Sequence, residues 1–339
     1  MNKRIIALGS SICMTAALLV ATQTATAPHA DAATNAPQAF SYYVEVNNPT
    51  WAYNQGCGLG NTAYVTAGTQ RFTAILDFGA MTLSGSTWKL TEWGYPDITL
   101  AQAGEMVYQF GLGFYRCASS DTTSVVYVGL GTNSSGNMSV AGATAFAAQA
   151  TSTNKRFASL IYGQVLVVGA NDFEGAASPW ASGITDWTWF DAYMAYAGRP
   201  YLFNYGSANG CPSDMTVKPV KASMCSYFSA EQIWHLSWAA SAYPVPEIYR
   251  TDGINAKQWK WLSYYSYVLH GGSYFSYQGV MTEYNACLQY PADCAIGKPG
   301  ATNNLPSVGW KQFNDEIHKS PAVGGSILNN PTDISWKRP

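Results

Sequence analysis

The sequence predicts a single-domain α/β protein built as a (β/α)8, TIM-like barrel. From about Phe72 onward, short β-branched or aromatic runs alternate with longer helical patterns, which is typical of a parallel sheet covered by helices. About eight strand candidates over roughly 265 residues fit such a barrel, which usually has ~250 residues. A doubly wound open sheet is the main alternative. Its G-x-G-x-x-G fingerprint does not follow the first of these strands, which ends in Asp77-Phe78-Gly79-Ala80.

The predicted elements follow one another in a regular order along the chain. The strand candidates are Phe72–Phe78, Val125–Leu130, Val165–Gly169, Tyr201–Tyr205, Ile233–Trp238, Glu247–Tyr249, Tyr274–Met281 and Asp333–Trp336. Helical periodicity is clearest at Thr99–Cys117, Val140–Ile161, Thr185–Ala197, Asn255–Leu269 and Pro306–Lys319. Thr185 with Asp186 is a helix start signal, and Ser229 with Glu231 and Gln232 is a similar one, which competes with the strand at Ile233–Trp238.

The start of the chain has the features of a secretory signal peptide. Lys3 and Arg4 precede an apolar stretch, and Ala30-Asp31-Ala32 offers a cleavage site. No later segment has about 18 uninterrupted apolar residues, so we expect a secreted mature chain without a membrane span. The expected organisation is a signal peptide over residues 1–32, an N-terminal extension over 33–60 and the barrel domain over 61–339.

The cysteines agree with export. Cys13 leaves with the leader, and an even number in an exported chain predicts three disulfides. Spacing favours two local bridges, Cys211–Cys225 and Cys287–Cys294, and Cys57–Cys117 remains by elimination. A zinc site is the alternative, but no C-x-x-C pair or nearby His accompanies these cysteines. We therefore predict no metal and no other cofactor.

Composition excludes several classes of protein. Lys and Arg number 18 and Asp and Glu 20, and only 11% of the residues are charged. This balance argues against nucleic-acid binding, which needs a basic patch. With 47% hydrophobic and 14% aromatic residues, the chain has ample material for a core. The absence of G-x-S-x-G, H-E-x-x-H and P-loop motifs argues against a serine triad, a catalytic zinc and a phosphate loop.

The sharpest chemical feature is a pair of carboxylates at the end of an apolar strand. Val165–Gly169 runs into Asn171-Asp172-Phe173-Glu174, and residues i and i+2 of a strand point to the same face. Two carboxylates in a desolvated mouth repel each other and raise one pKa, as glycoside cleavage requires. Alternatively, Asp172 caps a helix or turn and Glu174 is solvated in the loop.

Three more acids stand at comparable strand ends. Asp77 closes an apolar run, where a carboxylate is costly unless it has partners. Glu283 follows the strand candidate that ends at Met281, and Glu247 has apolar neighbours. Asp77 and Glu283 are catalytic candidates, and Glu247 is a substrate-binding candidate. Each is equally explained as a structural carboxylate paired with an Arg or with backbone donors.

Aromatic and amide side chains gather at the ends of the same strand candidates. They suit a carbohydrate ligand, because sugars offer apolar faces and many hydroxyls. Alternation in Ile233–Trp238 directs His235 into the barrel lumen, although a buried structural His is an equal alternative. Most Trp residues in a protein of this size belong to its core. The substrate-binding candidates beside Glu247 are Asn204, Tyr205, His235, Trp238 and Trp180.

Two segments resemble motifs of a known group. Ile75-Leu76-Asp77-Phe78-Gly79 and Gly169-Ala170-Asn171-Asp172-Phe173-Glu174 resemble those of glycoside-hydrolase-like TIM barrels exported by Gram-positive bacteria. They are loosely similar to Chalaropsis-type muramidases, which place an Asp at the end of strand one and a D-x-E pair on a central strand. The resemblance implies Glu174 as the general acid, with Asp172 and Asp77 as partners. It covers two short motifs and the strand rhythm, and no G-x-D-v-S-x-W-Q surrounds Asp77.

A second resemblance concerns Asn204-Tyr-Gly-Ser-Ala-Asn-Gly-Cys-Pro212 together with G-x-N-D-x-E. These motifs resemble a set of secreted actinobacterial-type proteins, and the likeness implies no activity.

The combined prediction is a secreted, monomeric glycosidase that acts on a polysaccharide, such as a cell-wall polymer. Glu174 donates the proton, and Asp172, Asp77 or Glu283 is the anionic partner. A carboxyl separation of ~5–5.5 Å would favour retention of configuration, and ~6.5–9.5 Å inversion. The alternative is a catalytically inactive barrel that binds a glycan or a surface partner.

Overall fold

A computed structural model describes residues 36–91, 97–158, 163–174 and 182–338. The signal peptide predicted at 1–32, the end of the helix predicted to reach Ile161, and Trp180 lie outside these residues. The described strands are β1 (Ala39–Val44), β2 (Arg71–Ser84), β3 (Thr87–Thr91), β4 (Ile98–Thr99), β5 (Val125–Asn133), β6 (Val165–Asp172), β7 (Leu202–Asn204), β8 (Met224–Cys225), β9 (Phe228–Ser229), β10 (Ala242–Pro244), β11 (Met281–Thr282) and β12 (Thr332–Lys337). The α-helices are α1 (Pro49–Val65), α2 (Leu100–Cys117), α3 (Val140–Lys155), α4 (Gly183–Ala195), α5 (Ala230–Trp238), α6 (Ile254–Leu269), α7 (Tyr284–Gln289) and α8 (Pro306–His318).

Eight of the strands form one curled parallel sheet in the order β10-β7-β6-β5-β2-β1-β12-β11. Each neighbouring pair in this order is parallel. Strands β3 and β4 extend β2 in antiparallel pairing, and β8 and β9 form a separate small hairpin. Between β10 and β11 the chain forms an isolated parallel bridge from Glu247 to Met281. The predicted α/β class and the parallel sheet are confirmed.

Helices α1 to α5 each begin at a residue whose side chain caps the first turn. Thr99 caps α2 in a capping box with Gln102, and Ser182, three residues before the predicted Thr185, caps α4. The strand predicted at Ile233–Trp238 is wrong, because these residues belong to α5. Ser229 and Gln232 form a full capping box there, and the local start signal outweighs the alternating pattern.

Two further strand predictions are displaced. Glu247–Tyr249 follows strand β10 instead of forming one, and within Tyr274–Met281 only the last residue belongs to a strand. Proline explains part of this, because Pro244 and Pro246 have no N–H to donate to a ladder. The Tyr277 N–H donates to the Ile327 carbonyl at 2.8 Å, outside the main sheet.

The segment predicted as an N-terminal extension contributes to the sheet. Residues 39–44 form β1, which pairs with β2 on one side and β12 on the other. Helix α1 then packs against α2 so closely that a Cβ on Gly56 would lie 1.8 Å from the Phe110 carbonyl oxygen. Asp77 is consequently on the second parallel strand, whereas the resemblance to the muramidases predicts the first.

All three predicted disulfides are formed, Cys57–Cys117, Cys211–Cys225 and Cys287–Cys294. The first joins α1 to the end of α2. Within the part of the chain that is described, none of the helices is long and apolar enough to cross a membrane.

Two apolar cores lie on the two faces of the sheet. The larger one packs the helices against the sheet, with Trp189 and Trp259 fully buried in it. The smaller one brings together residues from distant strands, and this contact reflects the curl of the sheet. Its buried members are Ile75, Val168, Ala170, Phe203, Tyr205, Val245, Met281 and Ile334.

Candidate active site

The site lies at the C-terminal ends of the parallel strands, where barrel-type sheets carry their chemistry. Four residues of the smaller core each precede an acidic residue by two positions, so strand alternation directs acid and core residue to the same face. These acids are Asp77, Asp172, Glu247 and Glu283. The spacing therefore places carboxylates next to an apolar layer.

Four of the predicted acids line one cavity of about 540 Å³: Asp77, Asp172, Glu174 and Glu247. The Asp77 carboxylate accepts a hydrogen bond from the Gly79 N–H at 2.8 Å. Gly79 has a φ of 82°, which favours glycine, and the β2–β5 register shifts just after Asp77. This irregularity in β2 fixes where the carboxylate points.

Three of the carboxylates converge. Oxygens of Asp172, Glu174 and Glu247 lie within 4.8 Å of one another. Asp172 and Glu247 are each 8% exposed, and Glu174 is half-buried. This distance joins one oxygen of each group, and it is compatible with the ~5–5.5 Å that separates the carboxyl groups of retaining glycosidases.

Burial raises the pKa of the carboxyl groups at this site. The pKa of Glu247 lies well above its usual range because of burial and the negative charges of Glu174 and Glu283. Burial also raises the pKa of Glu174, against a hydrogen bond from Ser207 that lowers it. Burial raises the pKa of Asp77 to about 6. The cluster thus holds carboxyl groups that keep a proton at higher pH than free ones.

The phenols around the cluster respond to its negative charge. The pKa of Tyr43 is raised well above its usual value by burial and then by the charges of Glu283, Asp172 and Glu247. The pKa of Tyr249 is also raised well above its usual value, first by burial and then by the charge of Glu247, with a smaller contribution from Asp172. Both tyrosines line the cavity and remain neutral hydrogen-bonding groups.

Glu283 lies at the edge of the cluster, in the turn between β11 and α7. Burial raises its pKa to about 7, and the charges of Asp333 and Glu174 act in the same direction. The adjacent Asp333 accepts hydrogen bonds from the Thr282 hydroxyl at 2.6 Å and from two backbone N–H groups at 2.9 Å. Asp333 thereby fixes the backbone on both sides of Glu283.

Asn204 and Tyr205 lie below the cavity rather than on its wall. Asn204 donates to the Ser237 hydroxyl at 2.8 Å and accepts from the Gly206 N–H at 2.9 Å, so both ends of its amide are occupied. The buried Tyr205 hydroxyl donates to the Thr132 carbonyl at 2.8 Å. Their contacts are with the protein itself.

The predicted lumen position of His235 is wrong, because helix α5 carries it to the helical layer. Its ring stacks on Trp187 with centroids 3.7 Å apart, and Nε2 contacts Asp191 at 2.8 Å. Trp238, at the end of the same helix, packs its ring against Tyr243 and Phe275. Neither residue belongs to the cavity wall.

Sequence reasoning missed several residues of the cavity wall. Tyr43 and Trp336 pair in register on β1 and β12, and their ring centroids are 4.5 Å apart. Arg338 follows them, forms an ion pair with Glu45 at 2.9 Å and lies 4.8 Å over the Trp336 ring. Tyr249 could have been predicted, because it stands two residues after the candidate Glu247 and so points to the same side of an extended chain. Asn133, Asn209 and Asp293 also line the cavity.

Two groups of side chains are close enough to share a cation within the described residues. One is the Asp172, Glu174 and Glu247 cluster, which offers carboxylate oxygens. The other joins Glu283 to Cys287 and Cys294, but these cysteines form a disulfide and have no thiolate to offer.

Comparison with known proteins adds no assignment. Neither a protein-family model nor a curated protein sequence matches this chain.

Proposed function

We propose that the protein is an exported glycoside hydrolase that cleaves a polysaccharide, such as a cell-wall polymer, with retention of configuration. The observation that carries the proposal is the convergence of Asp172, Glu174 and Glu247 within 4.8 Å at a cavity of about 540 Å³. Glycosidic bonds are cleaved by paired carboxyl groups, one protonated and one ionised, on either side of the bond.

The proton donor in this proposal is Glu174. It is the least buried of the three carboxyl groups, so it reaches a bound substrate, and burial raises its pKa. It protonates the glycosidic oxygen as the bond to the sugar breaks, and the Asp172 carboxylate attacks the sugar carbon. Water then displaces Asp172 while Glu174 takes up the water proton.

Glu247 has a supporting role. Burial and the neighbouring charges of Glu174 and Glu283 raise its pKa well above its usual range, so in this proposal it stays neutral and donates a hydrogen bond to the anion beside it. A neutral third carboxyl lets the other two approach closely without a third negative charge. The rings of Tyr43 and Trp336, tilted against each other with centroids 4.5 Å apart, add an apolar part to the cavity wall that a sugar can contact.

The proposal includes the predicted closed barrel and export. Closure is supported by the hydrogen bonds between the ends of the sheet, Ile248 N–H to Met281 carbonyl and Met281 N–H to Pro246 carbonyl, each 2.8 Å. Export is supported by the three disulfides, which form and persist in oxidising compartments.

The test is reducing-sugar release from a panel of purified cell walls and soluble polysaccharides. Glu174→Gln keeps the shape and removes the proton, so we expect a loss of about a hundredfold or more. Glu105→Gln is the matched control, because that exposed carboxylate pairs with Arg156 away from the site. The product anomer, followed by NMR, is expected to have the configuration of the substrate.

The outcomes separate the alternatives. Full activity of Glu174→Gln would contradict the assigned donor and direct the same test to Glu247. Absence of release by the wild type, with retention of one glycan by both proteins, would favour the catalytically inactive binding barrel.

A further inference from the structure

A second cavity of about 340 Å³ adjoins the first. The two share Asn209, Glu247 and Tyr249 as wall residues. The second cavity thus begins at one member of the carboxylate cluster and continues away from it. Its volume falls in the range of ~300–1,000 Å³ that is typical of small-molecule sites.

The wall of this second cavity contains a buried acceptor. Gln258 on α6 is 6% exposed, and its Nε2 donates to the Cys211 carbonyl at 3.2 Å. That contact fixes the orientation of the amide, because only the nitrogen can donate to a carbonyl. The Gln258 Oε1 accepts no hydrogen bond from the described residues. A buried acceptor without a donor is costly, and a ligand hydroxyl would satisfy it.

A donor stands on the same wall. The Arg250 guanidinium is held by Asp252 through its Nη2 at 2.5 Å and Nε at 3.3 Å. Gly300 makes room for it, because a Cβ there would lie 2.4 Å from Nη2. The remaining N–H groups of a guanidinium are available for hydrogen bonding, since it has five in a planar fork.

Two disulfide loops fix the walls. Cys211, whose carbonyl orients Gln258, is bridged to Cys225. The Thr302 N–H, on the wall, donates to the carbonyl of the bridged Cys294 at 3.1 Å. The cavity is therefore bounded by cross-linked loops and a helix, and its polar groups are held in place before a ligand arrives.

These groups suit a neutral polyol. Gln258 supplies an acceptor and Arg250 supplies donors, and sugar hydroxyls both donate and accept. An anion is disfavoured because the cation on this wall, Arg250, is already paired with Asp252.

We propose that the second cavity is a subsite for a further sugar residue of the chain whose bond lies at the Asp172, Glu174 and Glu247 cluster. The protein therefore binds its glycan over at least two residues and acts on oligomeric or polymeric chains. This inference rests on the proposed function.

The test measures binding separately from cleavage. Full-length Glu174→Gln protein is titrated by calorimetry with cello-, xylo-, chito- and laminari-oligosaccharides, from one residue upward. We expect one series to bind, with affinity rising about tenfold when a second residue is added. Gln258→Leu and Arg250→Ala, made in the same background, are each expected to weaken binding of the longer members about fivefold, the usual effect of one lost hydrogen bond.

Arg156→Ala is the matched control, because Arg156 also pairs with an exposed acid but lies far along the chain from this wall. Arg250→Ala removes a half-exposed side chain, so it remains informative if Gln258→Leu does not fold. Affinity that is independent of chain length, equal weakening by Arg156→Ala, or no binding by any series would overturn the subsite. Cleavage without length dependence would leave the proposed function standing and remove the subsite. Length-dependent binding without cleavage by the wild type would contradict the proposed hydrolase activity and leave the second cavity as a glycan-binding site.

Discussion

Two glycines of helix α1, one buried and one exposed, allow a sharp test of how this helix packs against α2. Gly56 and Gly58 lie two positions apart in α1. A Cβ on Gly56 would lie 1.8 Å from the Phe110 carbonyl oxygen of α2, whereas a Cβ on Gly58 would have no heavy atom within 4 Å. The same substitution to Ala therefore meets a helix backbone at one position and solvent at the other.

The expected effects have opposite signs. For Gly58→Ala we expect a gain of about 0.8–1 kcal/mol in the free energy of unfolding, which is the difference in helix propensity. At Gly56 the helices would have to separate by about 1.6 Å to reach an ordinary contact distance of 3.4 Å. The Cys57–Cys117 bridge opposes this separation. Overpacking costs ~1–3 kcal/mol or more, so after the propensity gain we expect a net loss of about 2 kcal/mol.

The assay is urea unfolding of the oxidised protein, with the midpoint and the m-value determined for both variants. The expected difference between them is about 3 kcal/mol, well beyond the uncertainty of the extrapolation. A Gly56→Ala protein as stable as the wild type would refute the close packing of α1 on α2. Equal losses for both variants would point to an effect on helix α1 as a whole.

Three other predictions concern stability. Replacing Cys57 and Cys117 by Ser is expected to cost about 4 kcal/mol, because the bridge spans 60 residues, and to cost more in urea unfolding than loss of the bridge that spans 7. Burial raises the pKa of Asp186 to about 8. Its protonation therefore favours the folded state, and this group alone contributes a loss of about 1.4 kcal/mol per pH unit as pH rises from about 4 towards 8. The stability of Asp186→Asn should therefore fall less steeply with pH than that of the wild type by this amount, and parallel stability profiles would contradict the assignment. Lys260→Met is expected to cost about 2 kcal/mol, because it removes the Nζ that lies 2.6 Å from Glu316 while Lys319, 2.7 Å from the other oxygen, still pairs with that carboxylate. A loss no larger than that of the double variant with Glu316→Leu would argue against this reason.

Local signals predicted the acidic residues of the cavity better than the secondary structure around them. Val165–Gly169 is a run of apolar residues that can only be a buried strand or helix segment, and its end places Asp172 and Glu174 two residues apart. Asp77 and Glu247 were identifiable because a carboxylate among apolar neighbours is costly without a purpose. The two local disulfides followed from the spacing of their cysteines, and the third followed by elimination. Apart from the third bridge, these features depend on residues that are close in sequence.

Errors occurred where local patterns conflict. Ile233–Trp238 alternates like a strand, yet Ser229 and Gln232 form a capping box that starts a helix. This single change moved His235 from the site to a stack on Trp187. A capping box satisfies backbone N–H groups that an alternating pattern leaves unpaired, so the cap decides the element.

The sequence by itself determined which residues carry charge at strand ends, which cysteines pair and that helices cover a parallel sheet. Only the tertiary structure decided which strands are neighbours. The hydroxyls of Ser41 and Thr332 lie 2.8 Å apart although 291 residues separate them, and this contact brings Tyr43 and Trp336 to the same cavity wall. Strand β1 has no local signal strong enough to identify it, because a parallel strand is stabilised by partners distant in sequence.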